Sequence, residues 1–484
     1  MSAFHGSNGI AFGPDGRLHV AEFLGGRISA VDLATGDVEV VVPTGSPVQS
    51  PDDLAFGADG SMYITDLVPG RVWRRSADGD YTLVSDGVVM ANGIACVGDR
   101  LFVNEMRVGG RLLELFPHGG APVVLAEGLA MGNAMQLGPD GFLYYPHMIT
   151  NEVYRIPPDG GTPELVAEEV HQPVAVRFDR EGVLHVLSRG VEGIVTRIEQ
   201  DRRQILTTGI VGLDNAAFDD ENRMYVSSYA SGGIAEMRPD GQIRPVVPQG
   251  FVGPYGVTVD LAGTVYVGDH YRVARSIEDE VVTHEVAIFT HGIVADGDRL
   301  HVTSQYGDVR TYEQGTVTVR AKGLDRPTGI TVRPDGVLVV AETGAGRVVT
   351  VDGDVLADGF DEPVDVVFDS EQRCYVSDER RGVVYRDGQP LAEGLDAPQG
   401  LAIRGDELFV VEAGRRRLLA VHLGTGEVRV EADDLAVDPP EPTARALHVN
   451  GMPGCPRRFA GLAVGPDGAL HLSANGNGSV QRLP

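Results

Sequence analysis

Two sets of side chains in this sequence have types and spacings that could do chemistry. The first is Asn8, Asp52, Asn92, Asn133 and Asp214, five oxygen-bearing residues that recur at steps of 44, 40 and 41 residues and then, across Val174, at 41 and 40. Carboxylates and amide oxygens brought to one place oppose each other's ionisation, and either a cation or a raised pKa must relieve them. Six to eight hard oxygen ligands are what Ca²⁺ takes. The set therefore reads as a Ca²⁺ (or Mg²⁺ or Mn²⁺) site built from Asn8, Asn92, Asn133 and Asp214, with Asp52 as a further ligand or a general base. The competing reading is that Asn and Asp merely satisfy backbone groups in turns, a routine use of both. The second set is Asp269, His270 and His291, with Tyr255 and Gln305 nearby. A histidine whose second nitrogen is held by a carboxylate is a general base, although each histidine alone is equally readable as a packed side chain. No GxSxG, HExxH, P-loop or EF-hand pattern occurs, so serine-nucleophile, zincin and phosphate-cradling chemistries lack support.

The elements that must position these residues come from a repeat. Pro327 to Gly353 holds an apolar run with a small polar head, a Pro-Asp-Gly turn, a second apolar run ending in Glu342, a Gly-rich turn and a third run. Short β-branched runs separated by Gly-containing turns predict strands joined by hairpins. Twelve copies follow one another, with heads at Asn8, Asp52, Asn92, Asn133, Val174, Asp214, Tyr255, His291, Thr328, Val364, Gln399 and Ala460. Four short antiparallel strands per unit of about 40 residues predict an all-β fold made of β-propeller blades. The step shortens from 40–44 residues to 35–37 after Tyr255, and propellers close with about four to eight blades, so two six-bladed propellers are expected, residues 1–252 and 253–484. Seven blades plus five fit the change of period less well. First-strand heads then form a small circle at one mouth of each channel. The ends of the second strands form a wider one: Glu22, Asp66, Glu105, His147, Ser188 and Ser228, then Asp269, Ser304, Glu342, Asp378, Glu412 and Ala474. The last step is 61 residues because of a Pro- and Gly-rich insertion over about 431–458. It is expected to be an irregular loop, either a lid over a pocket or padding on a ring edge.

A net charge of −29 repels phosphate backbones and anionic lipid surfaces, so nucleic acid and membranes are not expected partners and a small-molecule substrate is. Cys96, Cys374 and Cys455 form no paired motif, and the N-terminus reads as no signal peptide, so the expected compartment is the cytoplasm.

Copies such as NGIAFGPDGRLHVAE and TGITVRPDGVLVVAE resemble the blades of the SMP-30/gluconolactonase and NHL superfamily, and are also similar to virginiamycin B lyase-type propellers. The resemblance implies a lactonase-like hydrolase acting on a lactone or related small cyclic ester, with a divalent metal at the mouth of the first propeller. In the lactonase branch a first-blade Glu, two Asn and an Asp hold the ion. Asn92, Asn133 and Asp214 match that set, while position 8 is Asn, which leaves Glu22 as the substitute acid. The superfamily also implies two alternatives: a metal-independent lyase or cyclase, here using His291, His270 and Asp269, and a non-catalytic binding scaffold.

Overall fold

The structure is a computed structural model describing residues 4–200, 202–277, 280–286, 289–441 and 445–484. Each copy of the repeat folds as an antiparallel sheet whose strands are consecutive in the chain. Eleven such sheets have four strands, and the last has three, Leu462–Val464, Leu470–Ala474 and Ser479–Leu483. In the copy headed by Thr328, Pro327–Val332 pairs with Leu338–Glu342, which pairs with Arg347–Thr350 and so on to Val355–Asp358. Gly336 closes the first hairpin at φ +87°, a conformation that a side chain would strain, and donates its N–H to Arg333 at 2.8 Å. Among the described residues there is no α-helix, only two 3₁₀ turns, Thr343–Ala345 and Ala413–Arg415, and no helix long and apolar enough to cross a membrane.

The chain divides into two units, one ending at Val252 and the other beginning at Gly253, with six blade sheets in each. In each unit the first strands pack in sequence order and the last returns to the first, so each is a closed six-bladed propeller. Second strands such as Leu18–Glu22 are buried along their whole length between neighbouring blades, which is why their apolar runs are continuous rather than alternating. Fourth strands such as Val38–Val42 face outward.

The heads explain the repeat's most regular feature. Ladder pairing shifts at the heads of most blades, for instance between Pro327 and Ile330 and between Pro51 and Leu54. Freed backbone groups then pair with the next blade, as Gly9 N–H to Asp52 O at 2.7 Å and Gly256 N–H to His291 O at 2.8 Å. A Cβ at Gly93 would come within 2.2 Å of the Asn133 carbonyl oxygen, so the residue after the head is glycine wherever two first strands touch this closely.

Among the described residues no strand is shared across either ring's ends. Ring closure rests on serine hydroxyls and backbone amides instead. Ser227 Oγ donates to the Asn8 carbonyl at 2.6 Å, Ser473 Oγ donates to the Tyr255 carbonyl, and Gly461 N–H donates to that same oxygen at 2.8 Å. In the insertion, expected to be irregular throughout, His448–Val449 and Met452–Pro453 make a two-residue ladder. Of its DPPEPT stretch, Pro442 and Thr443 lie outside the described residues.

Candidate functional site

At the first ring's mouth the shifted ladder leaves the heads inside the channel, and all five polar ones, Asn8, Asp52, Asn92, Asn133 and Asp214, are buried. Burial pushes the Asp52 carboxyl up to about 8, helped by the neighbouring Asp53 charge and opposed by a hydrogen bond from the Asn92 amide. Asp214 is raised well above the carboxylate range by burial and by Asp52 and Asp53, with Arg177 acting against them. The Asp52 charge thus opposes ionisation of Asp214, so the two carboxylates cannot both ionise cheaply, the arrangement in which one holds a proton while the other can accept one.

The asparagines are oriented by a sulfur. Asn92 Nδ2 lies 3.1 Å and Asn133 Nδ2 3.6 Å from Met106 Sδ. Asn133 Oδ1 accepts the Ala134 N–H at 2.7 Å, whereas Asn92 Oδ1 is buried with no hydrogen-bond partner. A buried oxygen left unpaired is costly and marks a place where a ligand, an ion or water completes the site.

Below the heads lies a second polar layer that sequence reasoning missed. Asp53, one residue past its head, accepts Leu54 N–H at 2.9 Å and, across the channel, Asn215 Nδ2–H at 3.1 Å. Arg177 supplies the counter-charge at 3.9 Å from Asp53, and it also donates to the Ala216, Met135 and Val176 carbonyls at 2.8–3.0 Å. One signal was available: Arg177 interrupts the apolar first strand Pro173–Phe178 where other copies carry Ala11, Ala55, Ala95 and Ala217.

The wider circle of acids does other work. Glu22 is fully buried, and its carboxylate accepts from Arg27 Nε at 2.9 Å, Ser29 Oγ at 2.5 Å and the His5 N–H at 2.9 Å. Glu342 and Glu412 repeat the arrangement with Arg347 and Arg417 and with the N–H groups of Asp325 and Asp396. These acids clamp the incoming loop to the third strand. Glu22, expected as a metal ligand, is used in this way as a clamp, with three donors on its carboxylate.

In the second ring, Asp269 does the same, accepting Gly253 N–H at 2.8 Å and Arg272 Nε–H at 2.9 Å. The expectation that Asp269 orients a histidine is corrected accordingly. His270 is buried at a left-handed φ of +36° with neither ring nitrogen hydrogen-bonded, and it packs on Tyr271, Phe289 and Tyr255 at 4.3, 5.3 and 6.0 Å. Burial, then the neighbouring His291 and Arg445, pull its pKa down to about 3. His291 stacks on Tyr255 at 4.9 Å and is neutral, burial holding it near 4.

The insertion's end crosses this mouth. Gln305 Oε1 accepts the Arg457 N–H at 2.8 Å, which turns its Nε2 toward His291 Nε2 at 2.7 Å and the Arg457 carbonyl at 3.2 Å. His291 Nε2 sits between Gln305 Nε2, a donor at 2.7 Å, and the Arg457 carbonyl, an acceptor at 2.9 Å, so its role follows the ring's tautomer, while Nδ1 has no partner. The Arg457 guanidinium bonds Glu362 at 2.5 Å and also Glu379, and Tyr306 Oη donates to the Gly454 carbonyl at 3.0 Å. Beside this segment is a cavity of about 720 Å³ lined by Gln305, Glu362, Glu379, Arg380, Arg445 and Arg457 among others, within the range of small-molecule sites, roughly 300–1,000 Å³.

No protein-family model matches the chain, and neither does any curated sequence. Solved structures similar to it include a streptogramin B lyase, at 18% identity over 55% of this chain and 91% of that one with a TM-score of 0.41. A calcium-binding protein, regucalcin, from Agrobacterium tumefaciens is similar at 20% identity over 48% of this chain and 83% of that one, TM-score 0.40. A nidogen/laminin complex is similar at 19% identity over 45% and 88%, TM-score 0.41.

Proposed function

We propose that this chain is a hydrolase of lactones or related small cyclic esters, with its reaction centre at the first ring's mouth. The observation that carries the reading is the buried Asp52 and Asp214 pair together with Asn92, whose amide hydrogen-bonds Asp52 and whose Oδ1 is buried and unpaired. Opening a cyclic ester needs a base to take a proton from water and an acid to return one to the leaving oxygen. Two carboxylates whose shared site keeps one of them protonated hold both roles. Asp52, drawn toward ionisation by the Asn92 amide, is the base; Asp214 is the acid. The Asn92 amide keeps Asp52 oriented, and Arg177 with Asp53 fixes the layer beneath.

The donors also suit a divalent ion. Among the described residues no three His, Cys, Asp or Glu side chains form a metal cluster, so an ion would draw on the Asn92 amide oxygen together with Asp52 and Asp214, a hard-oxygen set of the kind Ca²⁺ uses. Such an ion, when bound, polarises a carbonyl and lowers the pKa of water. Metal analysis of the purified protein is expected to find a stoichiometric divalent ion whose removal by EDTA lowers the melting temperature. No ion together with unchanged melting would sink the metal part of the reading. The three cysteines, widely separated in the sequence and without a paired motif, support placing the chain in a reducing compartment such as the cytoplasm.

A second reading, metal-independent chemistry at His291, is favoured by the ligand-sized cavity that its contact partners Gln305 and Arg457 line. It requires the Arg457 segment to move, since that segment covers the ring.

A further inference from the structure

The second ring's mouth has a shape and charge that the first-ring chemistry leaves unused. Glu379 is buried, one oxygen receiving the Arg457 guanidinium and the other the Gln399 Nε2–H at 3.2 Å. Glu362 receives a second guanidinium nitrogen from the same arginine at 2.5 Å. These two acids stand on different strand ends and converge on one planar cation, the geometry that a guanidinium's fork selects. Gln305 and Gln399 hold the arginine's backbone neighbourhood, Gln305 taking the Arg457 N–H and Gln399 Oε1 the Ala460 N–H at 2.8 Å. Every one of these ring groups is satisfied by residues 457–460 alone or in part, while the cavity of about 720 Å³ continues past Arg457.

A structural clamp explains the ion pairs but not the adjoining cavity. Nor does it explain the buried, unpaired Nδ1 of His291, whose ring touches the clamp through Nε2. Removing the arginine would uncover the Glu362 and Glu379 carboxylates and the Gln305 amide on the wall of a ligand-sized space that also carries Arg326, Arg380, Arg381, Arg445 and Arg458 with Asp396 and Glu441. Glu362 and Glu379, converging on one point and stripped of the guanidinium they share, attract a planar cation to replace it.

We infer that the second ring's mouth is a binding site for a small guanidinium-bearing ligand, which Arg457 occupies from within the chain and which an incoming ligand displaces. The first-ring hydrolase reading is not needed for it, and no covalent step is involved. Arg457 acts as a competitor tethered to its own site, so it lowers the apparent affinity by the fraction of time the mouth is open.

The test uses the full chain and agmatine as the probe, followed by calorimetry with sodium chloride and butylamine as controls. Arg457→Ala is expected to bind agmatine about tenfold or more tightly than the parent chain, as removal of a competing state that is mostly populated requires. Adding Glu379→Gln to that variant is expected to abolish the gain, and Arg457→Lys, which keeps a cation in place, to show less of it. If Arg457→Ala does not fold, thermolysin digestion of the parent chain decides: agmatine, but not butylamine, is expected to speed cleavage within 445–458. Agmatine affinity that is unchanged by Arg457→Ala in a folded variant overturns the inference. So does a gain that survives Glu379→Gln, or cleavage indifferent to agmatine.

Discussion

Replacing Asp365 by asparagine should make the protein more stable at pH 8 and less stable at pH 4. Asp365 is the second ring's counterpart of Asp53: it is buried, its Oδ1 accepts Val366 N–H at 2.9 Å and its Oδ2 accepts Leu401 N–H at 2.9 Å. Asp53 has Arg177 as a counter-charge, and no ion pair to Asp365 is among the described residues' salt bridges. Burial, only partly offset by the two N–H groups, pushes its carboxyl up to about 7. An unfolded aspartate titrates near ~3.9, so between roughly pH 4 and 7 the native chain keeps a proton that the unfolded chain has lost. Stability therefore falls as pH rises through that window and is level above it, by about 4 kcal/mol at most (about 3 units at ~1.4 kcal/mol each). Asparagine cannot titrate. Asn215 shows that an amide suits this position, since its Oδ1 takes the Ala216 N–H at 2.8 Å. One N–H loses its acceptor, which costs about 1 kcal/mol at every pH. The variant is thus expected to be about 1 kcal/mol less stable at pH 4 and about 2–3 kcal/mol more stable at pH 8. Urea denaturation of both proteins at pH 4, 5, 6, 7 and 8 reads the difference, in which every other titrating group cancels. Parallel curves, or a variant that is weaker at pH 8, would refute the reasoning.

In the first ring, kcat/KM for a lactone is expected to rise with pH and level off above about 8, where Asp52 is ionised. Asp53→Asn removes the neighbouring charge that helps raise Asp52, so the inflection should move down; an inflection that stays put argues against that charge's part in tuning the base. Glu22→Gln leaves Arg27, Ser29 and the His5 N–H without their shared carboxylate. It should cost about 2 kcal/mol in urea unfolding while leaving metal content unchanged, and a loss of bound metal would restore Glu22 as a ligand.

The blades and heads were legible because they repeat. A head beside a glycine recurs in seven of the twelve copies, since first strands there meet at the axis too closely for a Cβ. The acids closing the second strands were equally visible, but their partners were misjudged. The arginine five residues on, Arg27 after Glu22, Arg347 after Glu342 and Arg417 after Glu412, marked them as clamps of the third strand. Asp269 and Arg272 show the same pairing at a spacing of three. What could not be read was long-range: ring closure through Ser227 and Ser473, each joining residues more than 200 positions apart, leaves no local pattern. The insertion's target was hidden for the same reason, because an irregular loop carries no periodicity to say where Arg457 will rest.

Initial rates of lactone hydrolysis by the parent chain, Asp52→Asn and His291→Ala, measured side by side on one panel of γ- and δ-lactones, test the central claim most directly. Loss of a general base costs about 10²–10⁴-fold. The account predicts that loss in Asp52→Asn and turnover near the parent's in His291→Ala. The reverse result, or a parent chain that opens none of the lactones, would contradict it.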